Sequence, residues 1–420
     1  MDDTRDDFNS YMRKIPVAIQ DEELEFRDFP GIFNSKRHEE MNDAEKVGIY
    51  IHIPFCIKKC NYCDFPSFAG MEDLFGDYAL ALCKEMELAR EKFGSVSADT
   101  VFIGGGTPSV IAVSDLSLII DTLKKLFNVS EDAEMTLEVN PGTVTDEKAR
   151  VYRQLGFNRI SIGFQAAQDR LLKFMGRIHT KNMFVDCVDL VKKYGFADIN
   201  ADIIFGIPTQ TMEDWVETID TVLSADITHV SCYSLEIEEN TPWFQMRESG
   251  ELTFTDDELE RQMYEYAIAK LGSNGFRHYE ISNFSKPGFE CRHNVKYWLC
   301  KPYLGFGAAA HSFYRNIRCS NLTDPVEYIK ILKRGLLPEV TAQTINDEER
   351  LSERFILGLR LTDGISLKKL ECEFGSETLK EYKRKIDALE EKKLVYIDKD
   401  ILRLTKTGLD YANQVWLEFI

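Results

Sequence analysis

The chain has 420 residues, 44% of them hydrophobic, with 51 basic and 70 acidic residues and a formal net charge of −19. That length suits two domains plus extensions rather than one minimal core, and the acidic balance argues against nucleic-acid backbone binding, which needs clustered Lys and Arg. No apolar run reaches the ~18 residues of a membrane span. The start, Met1-Asp2-Asp3-Thr4-Arg5-Asp6-Asp7, lacks the basic-then-apolar pattern of a secretion signal, so a cytoplasmic protein with ten reduced cysteines is expected.

Residues 1–45 carry 13 acidic and 6 basic residues broken by short apolar patches, which reads as an N-terminal extension. From residue 47 a regular alternation begins. Apolar β-branched runs (Val47–Ile53, Thr100–Ile103, Met135–Val139, Arg159–Phe164, Ile199–Phe205, His229–Leu235) alternate with amphipathic helical patterns (Asp73–Lys92, Ser114–Leu126, Asp146–Leu155, Lys181–Lys193, Met212–Leu223). Such alternation predicts a parallel sheet covered by helices. Six units are two short of a closed eight-fold barrel, so an open, six-stranded α/β partial barrel is expected over residues 46–275. A helix at Asp256–Leu271 closes that core, and a strand at Tyr279–Phe284 and a loop rich in polar and aromatic residues come next, within a connecting segment 276–345. Residues 346–420 read as a separate unit: helices Glu348–Leu361, Leu367–Phe374 and Glu377–Lys392, a hairpin Leu394–Leu404 and a last helix Thr405–Phe419. That order resembles a winged helix. Its 14 basic and 16 acidic residues argue against DNA as the target, and a lid or docking role is expected instead.

The first strand runs into Cys56-Ile-Lys-Lys-Cys60-Asn-Tyr-Cys63, a CxxxCxxC spacing with three thiols and no fourth. Thiolates are the usual ligands of iron–sulfur clusters, and a four-iron cluster on three of them leaves one iron open. The other readings are a structural zinc site or three buried free cysteines. Zinc closes with four ligands, and no second CxxC exists here. The second strand ends in Gly104-Gly105-Gly106-Thr107-Pro108, where glycines let backbone approach a ligand; alone, this is equally a tight strand–helix turn. The third ends at Glu138-Val139-Asn140-Pro141, the fourth near Gln165, and the fifth carries Asp202 before Gly206-Ile207-Pro208. Polar and glycine residues at successive strand ends are what one shared pocket requires.

With Asn140-Pro-Gly-Thr143, Leu155–Gln165 and Met175-Gly-Arg-Ile-His-Thr180, these segments resemble the radical S-adenosylmethionine (SAM) proteins. The similarity runs from Tyr50 to the C-terminus and is to the branch of oxygen-independent coproporphyrinogen III oxidases and HemW-type haem chaperones. The resemblance implies a [4Fe–4S] cluster on Cys56, Cys60 and Cys63. It also implies SAM contacts at Tyr50, Gly105, Gly106, Thr107, Glu138, Gln165, Arg177 and Asp202. Phe65 stands where the oxidases carry a further cysteine, and His293-Asn294-Val-Lys-Tyr297-Trp298 matches the HNxxYW stretch of the chaperones. A haem-binding carrier that passes haem to an acceptor protein is therefore expected, with a reductant for the cluster and a homodimer left open. The alternative is a coproporphyrinogen dehydrogenase working through a SAM-derived radical. His293, Tyr297 and Trp298, with Cys291, Cys300 and His311 nearby, are the expected haem-handling group; the same stretch equally reads as a hydrogen-bonding corner with aromatics in the core.

Overall fold

The structure, a computed structural model, describes residues 46–420; the extension expected over 1–45 lies outside the described residues. All six expected strands form: β1 (Val47–Ile53), β2 (Ser97–Gly105), β3 (Asn128–Val139), β4 (Arg159–Gln165), β5 (Asp198–Phe205) and β6 (His229–Ser234). They are joined by α1 (Phe75–Phe93), α2 (Val113–Leu126), α3 (Asp146–Gln154), α4 (Lys181–Lys193) and α5 (Met212–Ser224). Neighbours pair in parallel in chain order, in an open sheet whose two edges do not join.

Strand alternation explains the two faces. Ile49, Ile51, Val101, Ile103, Leu137, Ile160, Ile162, Ile199 and Ile203 are fully or almost fully buried in one apolar core with the helices. The residues between them point the other way, into the barrel: Tyr50 and His52, Thr100 and Phe102, Glu134 and Glu138, Arg159 and Ser161, Asn200 and Asp202, His229 and Ser231. Helix starts follow ordinary capping chemistry; the Thr211 hydroxyl and the Asp214 carboxylate, for instance, form a reciprocal box that opens α5.

The sheet is larger than the sequence suggests, with twelve strands. After α6 (Asp257–Ser273), the expected strand Tyr279–Phe284 is instead a tight pair, β7 (Arg277–Glu280) and β8 (Asn283–Ser285). The Glu280 carboxylate accepts from the Ser282 N–H (3.0 Å) and turns the chain back. The HNxxYW stretch forms a short helix, α7 (Arg292–Trp298), followed by β9 (Tyr303–Phe306), β10 (His311–Tyr314), β11 (Ile317–Asn321), α8 (Pro325–Lys333) and β12 (Glu339–Thr344). β8 joins β6 antiparallel, and β9 adds to β1 as a further parallel strand. The last part holds α9 (Asp347–Gly358), α10 (Leu367–Phe374), α11 (Ser376–Glu391) and the hairpin β13 (Val395–Asp398) with β14 (Ile401–Leu404). It has its own core, including Leu351, Phe355, Ile386, Leu402 and Trp416, in a winged-helix arrangement. The expected final helix is interrupted at Tyr411 into α12 (Lys406–Asp410) and α13 (Ala412–Leu417).

Candidate functional site

The cysteine loop leaves β1 at the C-terminal end of the barrel and is tied down at several points. The Asn61 N–H donates to the Met175 carbonyl (2.9 Å) and its side-chain amide to the Phe174 carbonyl (2.9 Å). Its own carbonyl accepts from the Trp243 N–H (3.1 Å). The Tyr62 ring packs near Trp243 in a small apolar cluster beneath the loop. Lys59 Nζ donates to the Phe65 (2.7 Å) and Ser67 (3.2 Å) carbonyls. Anchors of this density hold a loop in one conformation before any ligand arrives.

Cys56, Cys60 and Cys63 are partly buried free thiols lining one cavity of about 600 Å³. Burial raises the Cys60 and Cys63 thiols above their ordinary range; Arg177, Lys58 and Lys59 oppose this at Cys60, and Lys59 does so at Cys63. Three thiols on one cavity, with cations that favour the thiolate, are a donor set that fits a three-cysteine cluster. Among the described residues no three His, Cys, Asp or Glu side chains lie close enough to share a single metal ion.

The glycine segment has little room for side chains. A Cβ on Gly104 would come within 2.8 Å of Glu138 Oε2, one on Gly106 within 2.6 Å of the Phe55 carbonyl oxygen, and one on Gly105 within 2.5 Å of the His52 ring. Gly105 also stands at φ +111°, a conformation that favours glycine. Its N–H donates to Glu138 (3.1 Å), while Thr107 Oγ1 lies 3.5 Å from Cys56 Sγ and accepts from the Asn140 amide (2.8 Å).

Two partly buried carboxylates face this segment. Burial and then the neighbouring Asp202 push Glu138 up to about 8. Asp202 is raised as well, mainly by burial, and accepts from Ser161 (3.0 Å) and Asn200 (2.8 Å). A cationic ligand would relieve this repulsion. Arg177 is fixed by the Tyr62 hydroxyl (2.7 Å) and by Asn140 Oδ1 (2.9 Å). Gln165 ends β4 at φ +70°, a backbone conformation that costs a non-glycine residue ~1–3 kcal/mol. Gly163 leaves space for three of these groups: a Cβ there would meet Asn140, Gln165 and Arg177.

The cavity thus gathers Cys56, Cys60, Cys63, Gly105, Gly106, Thr107, Glu138, Gln165, Arg177 and Asp202. Tyr50 stays outside its lining, its hydroxyl bonded to His52 Nδ1 (2.8 Å) inside the barrel. His293, Tyr297 and Trp298 lie at the opposite end, near the start of β1 and β2. The two ring nitrogens of buried His293 are bonded to Thr100 Oγ1 (2.9 Å) and the Tyr297 hydroxyl (2.9 Å), and the ring stacks on Phe102. Burial, then Lys296, lowers its pKa to about 3. Trp298 lies under the Arg360 guanidinium, 4.4 Å from its charge centre, against the C-terminal unit. Tyr62 and Gly163 are residues to which sequence reasoning gave no role; Asn140 stood among the strand-end residues of the expected pocket, without a named contact.

Residues 50–222 match the radical SAM superfamily and residues 345–411 the HemN C-terminal domain. With the three-cysteine loop and the strand-end cavity, these matches define a radical-SAM barrel carrying a HemN-type C-terminal unit. The chain is 34% identical over 372 residues to the heme chaperone HemW of Bacillus subtilis, covering 88% of this chain and 98% of that one. It is 34% identical over 371 residues to the heme chaperone HemW of Lactococcus lactis, covering 88% and 96%. The chain belongs to the HemW family. Coproporphyrinogen III oxidase (HemN) from Escherichia coli shares the fold, with a TM-score of 0.80 over 90% of this chain and 91% of that one at 19% identity.

Proposed function

We propose that this protein is a haem carrier of the HemW type, which binds haem and hands it to an acceptor protein in the cytoplasm. The observation that carries the reading is the 34% identity to a heme chaperone across 98% of that relative's length, together with a cavity holding every cysteine of the CxxxCxxC loop. Cys56, Cys60 and Cys63 would hold a [4Fe–4S] cluster, and Gly105, Gly106, Thr107, Glu138, Gln165, Arg177 and Asp202 would hold SAM. When bound, this pair supplies one-electron redox chemistry.

What the chain itself contributes is binding and orientation. Glu138 and Asp202 form a partly buried acidic floor suited to the positive charge of SAM. Arg177, with two fixed partners, presents a guanidinium suited to a carboxylate. Gly105 and Gly106 bring backbone to the cavity without side chains in the way. A reductant for the cluster and a second copy of the chain are further partners under this reading.

The test is anaerobic reconstitution, haem titration, and a coproporphyrinogen conversion assay on the same sample. Saturable haem binding without conversion is expected. Conversion with consumption of SAM would replace the carrier reading with the dehydrogenase one.

A further inference from the structure

We propose that haem docks across the open mouth of the barrel, on the apolar rim of Ile57, Phe65 and Ile178, and away from the helix that carries His293. This rests on the carrier reading above and adds the site. Ile57, Phe65 and Ile178 are 55%, 64% and 54% exposed, which with Leu80 makes them the four most exposed large apolar side chains of the described residues. Leu80 does not line the cavity. The other three come from two segments more than a hundred residues apart, yet they line the same cavity, with Tyr233 and Leu235 beside them. Singly scattered apolar side chains need no explanation; a group of them around one cavity marks a binding surface.

The rim is presented by a pinned backbone. Lys59 holds the Phe65 carbonyl (2.7 Å), and the Arg177 N–H beside Ile178 donates to the Leu172 carbonyl (2.9 Å). These side chains are therefore kept exposed by an ordered frame, so little ordering is left to pay on binding. Haem is a flat macrocycle with two apolar faces and two carboxylates on one edge. Its faces match the rim. Its carboxylate edge would be attracted by Lys58 and repelled by Asp64, Glu236 and Glu238, which line the same cavity. The imidazole nearest the rim is buried His179, and its Nε2 is bonded to the Phe164 carbonyl (3.0 Å). The proposed grip is on the faces of the ring, which suits a ligand that must be passed on. At the other end of the barrel His293 has both nitrogens engaged and 1% exposure.

The experiment is haem titration of the reconstituted full chain, followed by absorption, for the parent, the double variant Phe65→Ser/Ile178→Ser, and Leu80→Ser as a matched exposed control. All three side chains lie outside the core, so folding is retained. The double variant should bind haem at least about tenfold more weakly, with iron content and SAM affinity unchanged, while Leu80→Ser binds like the parent. Parent-like affinity in the double variant, or an equal loss in Leu80→Ser, overturns the site. A parent that binds no haem overturns the carrier reading itself.

Discussion

The two ends of the barrel are built from the same six strands and the same kind of inward-facing polar residue, yet they are in opposite physical states. At the start of the strands many polar groups are paired with one another, although Arg159 Nε is left without a hydrogen bond and has only an ion pair. Glu134 accepts from the Arg292 (2.8 Å) and His293 (2.9 Å) N–H groups at the start of α7. Buried Arg159 lies 3.6 Å from Asp198, and His293 is bonded on both sides of its ring. At the strand ends the groups remain under tension: burial raises both Glu138 and Asp202, Asp202 raises Glu138 further, Gln165 sits at positive φ, and three thiols share a cavity. A chain of hydrogen bonds joins the ends, from Asp202 through Asn200 and His229 to Tyr279. Satisfied polarity stabilises; polarity left unsatisfied at a cavity is available for a ligand.

That contrast can be broken from either side. Replacing Cys56, Cys60 and Cys63 together with alanine should abolish the brown chromophore while leaving the thermal melt of cluster-free protein nearly unchanged, because the loop is anchored by Asn61, Tyr62 and Lys59. Iron and sulfide analysis beside a melting curve measures both. Gly105→Val should lose cluster and SAM together. Its Cβ meets His52, whose Nε2 is bonded to the Pro66 carbonyl (2.8 Å) in the cysteine loop, so the disturbance reaches the thiols. Retention of a full cluster in this variant would show that the loop does not depend on His52.

Glu134→Ala acts on the other end. It strips two N–H groups of their acceptor and removes a carboxylate near Arg159, for an expected loss of about 3–5 kcal/mol in denaturant unfolding, with little change in SAM affinity per folded molecule. Asp202→Ala reverses that pattern, weakening SAM by about 1.5–3 kcal/mol through a lost charge-assisted contact, as equilibrium binding would reveal.

The smallest effect is expected from pH. Glu138 holds its proton up to about 8 in the folded chain, against 4.5 ordinarily. The folded state therefore binds the proton more tightly than the unfolded one, and this contribution to stability is full at low pH and is lost as pH rises from about 4.5 to 8. Glu85, buried and also raised to about 8, acts in the same direction. Glu138→Gln should remove only its own share, flattening the decline in melting temperature by roughly a few degrees. SAM binding to the parent should tighten as pH rises through about 8, where Glu138 ionises in the folded chain.

By itself the sequence determined the repeating unit and which strand-end residues share one cavity. Period-two runs beside period-3.6 runs are local signals, and they located all six parallel strands and five of the helices between them, missing the short helix Asp169–Phe174. The C-terminal ends of parallel strands converge, so polar and glycine residues at those ends could be assigned to one pocket before any coordinates. Gly105, Glu138, Gln165, Arg177 and Asp202 do meet there. Tertiary structure alone decided what depends on contacts distant along the chain. The short strands of residues 277–344 carry mixed polar patterns, and they are strands because β1 and β6 offer open edges to pair with. Asn140 and Gly163 matter through what they touch across strands. His293 shows the limit most clearly: its motif names the residue type, but only packing against Thr100, Phe102 and Tyr297 sets where the imidazole lies and that both of its nitrogens are engaged.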